Sequence, residues 1–161
     1  MKPERFLTAT LGGSGGRLAY TDDEIRRREQ MAAEMEKGSA RTLILSLSPT
    51  DQPRPTEEDL KKREASLAAG KDLIALAAVM RGTPDQVVTE AQVASVKVPV
   101  MAIIGSADPI IENVNKLKKA MPALKVVTIE GATHSGERGA YKRPEFIQAL
   151  QEFLKANAIK R

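Results

Sequence analysis

The chain has no cysteine, no tryptophan and a single histidine, and it holds only two tyrosines and three phenylalanines in 161 residues. Without cysteine there is no disulfide, no thiolate metal site and no cysteine nucleophile. With aromatics at 3% there is no platform on which bases could stack. The net charge of +4 is spread along the chain, with no basic block long enough for a nucleic-acid arm. No apolar run approaches the ~20 residues of a membrane-spanning helix. The opening MKPERFLTAT has no apolar core of a secretory signal. These absences lead to the expectation of a cytoplasmic protein that engages neither nucleic acid nor membrane. One histidine and no close carboxylate cluster suggest no metal site, and no cofactor is expected.

What is present suits one globular domain, residues 1–161, with 42% hydrophobic residues. Phe6–Leu11 is short, partly β-branched and stops at a glycine cluster, which reads as a strand. Thr21 followed by Glu24 forms a capping-box pattern, so a helix is expected from Asp22 to about Lys37, closed by Gly38. Its inner face is thin, with Ile25, Ala32 and Met35, and Arg26-Arg27-Arg28 reads as solvated surface. Arg41–Leu47 fits helix or strand equally by periodicity. After the proline-rich loop Ser48–Pro55, Thr56 caps a further helix with Leu60 and Leu67 inward, interrupted at Gly70. Lys71–Arg81 resumes with Leu73, Ile74, Ala77 and Ala78, and Thr83-Pro84 and Thr89 offer two more starts. Residues 21–95 are thus expected to be mostly helical.

From residue 96 the pattern changes. Val98–Gly105 and Leu124–Gly131 are apolar runs ending in glycine, as strands buried on both faces read. Ile111–Ala120 between them is amphipathic, with Ile111, Val114 and Leu117 on one side. Pro144 opens a last helix carrying Phe146, Ile147, Leu150, Phe153 and Leu154. Strand, helix, strand, helix implies parallel pairing with right-handed crossovers. The expected fold class is α/β, a mainly parallel sheet of about three strands with flanking helices and a helical insertion.

In such sheets chemistry sits beyond the carboxyl ends of the strands. Asp108 in GSADPI and His134 in GATHSG each come three residues after a strand-ending glycine. A carboxylate that accepts the imidazole Nδ1–H fixes the tautomer and leaves Nε2 free to act as a base. Taken singly, Asp108 before proline reads as a turn residue and His134 as a solvated loop histidine. It is their equivalent placement on consecutive strands that suggests a pair.

VPVMAIIGSADPI, a helix, LKVVTIEGATHSG and a helix opening with RPEF resemble the C-terminal third of an α/β-hydrolase. The resemblance implies that Asp108 is the acid and His134 the base of a catalytic triad. It also implies that 21–95 is the cap inserted before the acid strand, with 96–161 the core that carries both residues. The implied reaction is hydrolysis of an ester or related acyl bond, with a small ester-like molecule as substrate.

Gly12-Gly13-Ser14-Gly15-Gly16 matches the letters G-x-S-x-G and makes Ser14 the candidate nucleophile, in the family order Ser, Asp, His. A nucleophile elbow, however, starts its helix at the serine, and here the helix signal arrives seven residues later, at Thr21. KPERFLTATLGGSG instead resembles the stretch after the nucleophile helix, where a PER turn leads into the sixth strand. On that register Ser14 lies in the loop opening the cap, and the nucleophile half is missing, as in a truncated hydrolase. The alternative function is then a catalytically silent half-domain that self-associates, or pairs with a partner supplying the nucleophile, at the exposed edge of the first strand. The glycine cluster as a phosphate cradle is less well matched, since Gly13-x-Gly15-x-x-Leu18 lacks the final glycine of the dinucleotide fingerprint.

Overall fold

A computed structural model describes residues 5–14 and 16–158. Three strands, β1 (Ala9–Gly12), β2 (Val100–Gly105) and β3 (Lys125–Ile129), form one parallel sheet in the order β1-β2-β3. Between β1 and β2 lie five helices: α1 (Asp22–Glu36), α2 (Arg41–Ser46), α3 (Glu57–Gly70), α4 (Leu73–Gly82) and α5 (Glu90–Ala94). Helix α6 (Ile111–Ala120) joins β2 to β3, and α7 (Pro144–Ala156) follows β3.

Strand β2 is buried along its whole length because both of its faces are covered. Val100, Ala102 and Ile104 pack with Val114 and Leu117 of α6. Met101 and Ile103, pointing the other way by the two-residue period, pack with Ala149 and Phe153 of α7. Each fully buried Met or Ile of this kind contributes roughly 1.5–3 kcal/mol. β3 departs from the expected doubly buried strand. It is an edge, and Lys125 and Thr128 are exposed.

The first strand begins at Ala9 rather than Phe6, and Phe6 and Leu7 are exposed. Pairing of Ala9 with Val100 sends the Ala9 N–H to the Pro99 carbonyl. The next rung toward Leu7 would need an N–H from Pro99, which has none. Pro3 and Glu4 of the expected PER turn, and Gly15 of the glycine cluster, lie outside the described residues.

The helices α1 to α4 carry a core of their own, built on Met31, Ala32, Met35, Ala40 and Ala77. Leu43 and Ile44 of α2 pack onto it, and the Glu34 carboxylate accepts the Thr42 N–H near the start of α2, which settles 41–46 as helix. Ile25, expected inward, is exposed, as is Ile74, since that core is small and centred on the Met31–Met35 turn. On α7, likewise, Ile147 and Leu154 are exposed, because the sheet reaches only as far as Ala149 and Phe153. Thr83-Pro84 opens only a short 3-10 turn, Pro84–Gln86.

Both main helix starts use reciprocal caps. Thr21 Oγ1 accepts the Glu24 N–H while Glu24 accepts the Thr21 N–H, and Thr56 and Asp59 do the same. Replacing Thr21 with alanine removes one cap acceptor, an effect of about 1 kcal/mol. Thermal unfolding should fall by about 2–4 °C for a chain of this size. An unchanged melting temperature would mean that α1 needs no cap at Thr21.

Candidate functional site

The two loops that leave β2 and β3 are stitched together by backbone bonds. Ser106 N–H donates to the Ile129 carbonyl and Ala107 N–H to the Ala132 carbonyl, both at 3.0 Å. Ser106 Oγ accepts the Gly131 N–H at 2.8 Å. These bonds bring together residues 26 apart in sequence: His134 Nδ1 lies 3.0 Å from Asp108 Oδ2.

Asp108 is wholly buried, yet its carboxylate is satisfied on both oxygens. Oδ1 accepts the Ile110 N–H at 3.0 Å, and Oδ2 faces the imidazole. This bond raises the His134 pKa above its ordinary value, opposed by partial burial and aided by the carboxylate's charge. An ionised Asp108 requires Nδ1 to carry the proton. Nε2, which has no hydrogen-bond partner among the described residues, is then the acceptor. The pair is able to take a proton at Nε2 and hold the resulting imidazolium.

The loop after α2 is pinned to both site loops. Thr50 N–H donates to the Ala107 carbonyl at 3.2 Å, and Arg138 makes a forked contact to the Asp51 carboxylate at 2.7 and 3.0 Å. That contact holds the Asp51 carboxyl below its usual range. Thr133 and Ser135, on either side of His134, line a cleft of about 700 Å³ whose far wall is Leu43, Ile44, Leu47 and Leu67. A second cleft of about 510 Å³ shares Leu43 and Leu47 with the first and reaches Pro109 and Ile110, directly after Asp108. α2 therefore stands between two lobes, one beside the histidine and one beside the acid.

Ser14 lines the second lobe. It is exposed, and its Oγ accepts only the Gly16 N–H at 3.5 Å, with no hydrogen bond to His134 among the described residues. Gly13 and Gly16 take positive φ, and among the described residues regular helix begins only at Asp22, so no helix starts at Ser14. Among the described residues no group of three or more His, Asp or Glu side chains could hold a metal ion, and no helix is long and apolar enough to cross a membrane. The stitching by Ser106 Oγ and the Asp51–Arg138 contact were invisible to sequence reasoning, since both join segments far apart in the chain.

A parallel sheet flanked by helices in this order is an arrangement found in the α/β-hydrolase fold. Solved structures of that kind superpose on nearly the whole chain. A thermophilic esterase is 23% identical over 97% of this chain, with a TM-score of 0.63. MenH from S. aureus is 18% identical over 94%, with a TM-score of 0.64. An alpha/beta hydrolase from Sphaerobacter thermophilus is 19% identical over 92%, with a TM-score of 0.56. At such identities the likeness is one of fold. The chain spans 59%, 60% and 58% of the lengths of these structures. No family model and no curated protein matches the sequence.

Proposed function

We propose that this chain carries the acid–base portion of an α/β-hydrolase active site for an ester or related acyl bond. Asp108 orients the imidazole and His134 is the general base, with helices α1 to α5 acting as the cap over the substrate cleft. The observation that carries the reading is the 3.0 Å bond from His134 to an Asp108 that is completely buried. A carboxylate is seldom buried whole unless something must be held against it. The nucleophile and the oxyanion donors come from strands outside this chain. That placement is supported by the exposed Ser14, which makes no hydrogen bond to His134 among the described residues, and by the length of the solved structures, well beyond the part this chain matches.

Strand β1 supports the same division. It is an edge strand, and the N–H groups of Ala9 and Gly13 point to β2. By alternation those of Thr10 and Gly12 point away from the sheet, where a further parallel strand would pair. The exposed Ile147 and Leu154 of α7 continue the apolar stripe of Phe146, which reaches Gly12. A partner supplying the nucleophile, or a second copy in its absence, would cover this edge.

The test is hydrolysis of p-nitrophenyl acetate by wild type, Ser14→Ala and His134→Ala, together with the solution mass of wild type and Thr10→Pro. The expected result is no Ser14-dependent turnover, with self-association that is weakened when proline removes the outward N–H of residue 10. Turnover lost in both Ser14→Ala and His134→Ala would overturn this division and make Ser14 the nucleophile. A wild type that is monomeric at every concentration would remove the docking role of the β1 edge.

A further inference from the structure

The arginine run of α1 reads in sequence as solvated surface, but Arg28 is not on that surface. It is half-buried and lines the lobe beside Asp108. Its guanidinium carbon lies 5.0 Å from the centroid of the Tyr20 ring, and one of its N–H groups meets the Met80 sulfur at 3.2 Å. A thioether is a weak acceptor, and a guanidinium has five donors. Among the described residues Arg28 has no carboxylate partner, and its remaining donors are open to solvent in a residue that lines the lobe.

The surrounding charge has the same sign. Arg17 lies at the same 5.0 Å from the Tyr20 ring, and Arg27 also lines the lobe. Glu24 is the one carboxylate in that lining, and it is already committed to Arg17 and to the Thr21 cap. Tyr20 thus gathers two like charges around one ring and holds them without neutralising the second. The unpartnered donors of Arg28 stay accessible to solvent, so an anion can replace water on them without first breaking an ion pair.

We propose that this lobe binds an oxyanion group, a carboxylate or a phosphate, on the acyl substrate or its leaving group, with Arg28 as its principal contact. The inference rests on the reading of this cleft as the substrate cleft, and it narrows the substrate to esters that carry a negative charge. Pro109 and Ile110 line the same lobe, so an anionic end bound there is held beside the acid loop. Tyr20 and Arg28 are positioning and binding residues that take no part in proton transfer.

Binding is measured without turnover, so the test stands even where the chain alone is inactive. Inorganic phosphate, monoethyl succinate and the uncharged diethyl succinate are titrated into the whole protein by calorimetry, with tyrosine fluorescence as a second readout. There is no tryptophan, and Tyr20 is one of only two tyrosines. Wild type is compared with Arg28→Gln, Arg28→Lys and Arg26→Gln, the last removing an equal charge at an exposed residue outside the lobe that pairs with Asp23. Saturable binding of phosphate or the monoester is expected, weakened about tenfold or more in Arg28→Gln, partly retained in Arg28→Lys and unchanged in Arg26→Gln. Preference for phosphate or for the monoester assigns the source of the oxyanion. Absence of saturable binding by either anion, equal binding of the diester, or equal loss in Arg28→Gln and Arg26→Gln would each overturn the proposal. Because Arg28→Lys keeps the charge and much of the stem packing, a poorly folding Arg28→Gln leaves the test readable.

Discussion

Replacing Gly105 with alanine is expected to be the most damaging single-methyl change in the protein. A Cβ on Gly105 would stand 2.1 Å from the Ala132 carbonyl oxygen and 2.4 Å from its carbon. Both obstacles are backbone, and they sit in the loop that carries His134, so no side-chain rotation relieves the overlap. Overpacking of this severity costs about 3 kcal/mol or more. For a domain of this size that lowers the melting temperature by about 6–12 °C. The same carbonyl accepts the Ala107 N–H, so the displacement also parts the loops that bring Asp108 and His134 together. Gly82→Ala is the matched control, because nothing lies within 4 Å of the added methyl and the site is the last residue of α4. Thermal unfolding of the two variants by circular dichroism decides the matter, and similar melting temperatures would show that the close approach of the two loops is not needed for stability.

Exchanging Asp108 for asparagine is expected to move the titration of His134 downward. The protein has one histidine, so one imidazole resonance in a proton NMR titration reports on it alone. In wild type the bond to Asp108, followed in weight by opposing burial and then by the carboxylate's charge, leaves the pKa raised. Asparagine removes the charge and weakens the bond, so burial is left to push the midpoint below that of wild type, to or under the ordinary value of about 6.5.

The stability consequence has a definite sign. A folded-state pKa above the unfolded one adds stability that is fully present below the unfolded pKa and is lost as pH rises through the folded one. The melting-temperature gap between wild type and Asp108→Asn should therefore be widest near pH 5–6 and narrow toward pH 8. Where ester hydrolysis is measurable in an assembly that contains the nucleophile, the loss should reach about 10⁴-fold, the size seen when the orienting aspartate of a serine-protease triad is changed to asparagine. A midpoint unmoved by the substitution would mean that the Asp108–His134 bond does not govern the imidazole in solution.

Much of this molecule was legible from local pattern. Thr21 with Glu24 marked the start of α1, and Ile111–Ala120 matched α6 residue for residue, because capping and amphipathic period are set within a turn or two of chain. The doubly buried β2 was readable from its unbroken apolar run. The placing of Asp108 and His134 beyond strand ends followed from the two glycine-ended runs. Their hydrogen bond did not, since it needs the register of β2 against β3 and the stitching through Ser106 and Ala107.

The sequence by itself determined the strand-helix-strand-helix order after residue 96, the capped starts of α1 and α3, and the placing of an aspartate and a histidine beyond consecutive strands, all properties of short stretches. Tertiary structure decided what depends on neighbours far away in the chain. It made β3 an edge and cut β1 short where Pro99 has no N–H to offer. It left Ser14 without a hydrogen bond to the histidine and turned Arg28 from the surface into the cleft. Arginine on a helix looks the same in sequence whether it meets water or a ring. Only the packing of Tyr20 and Met80 against it fixes where its charge stands.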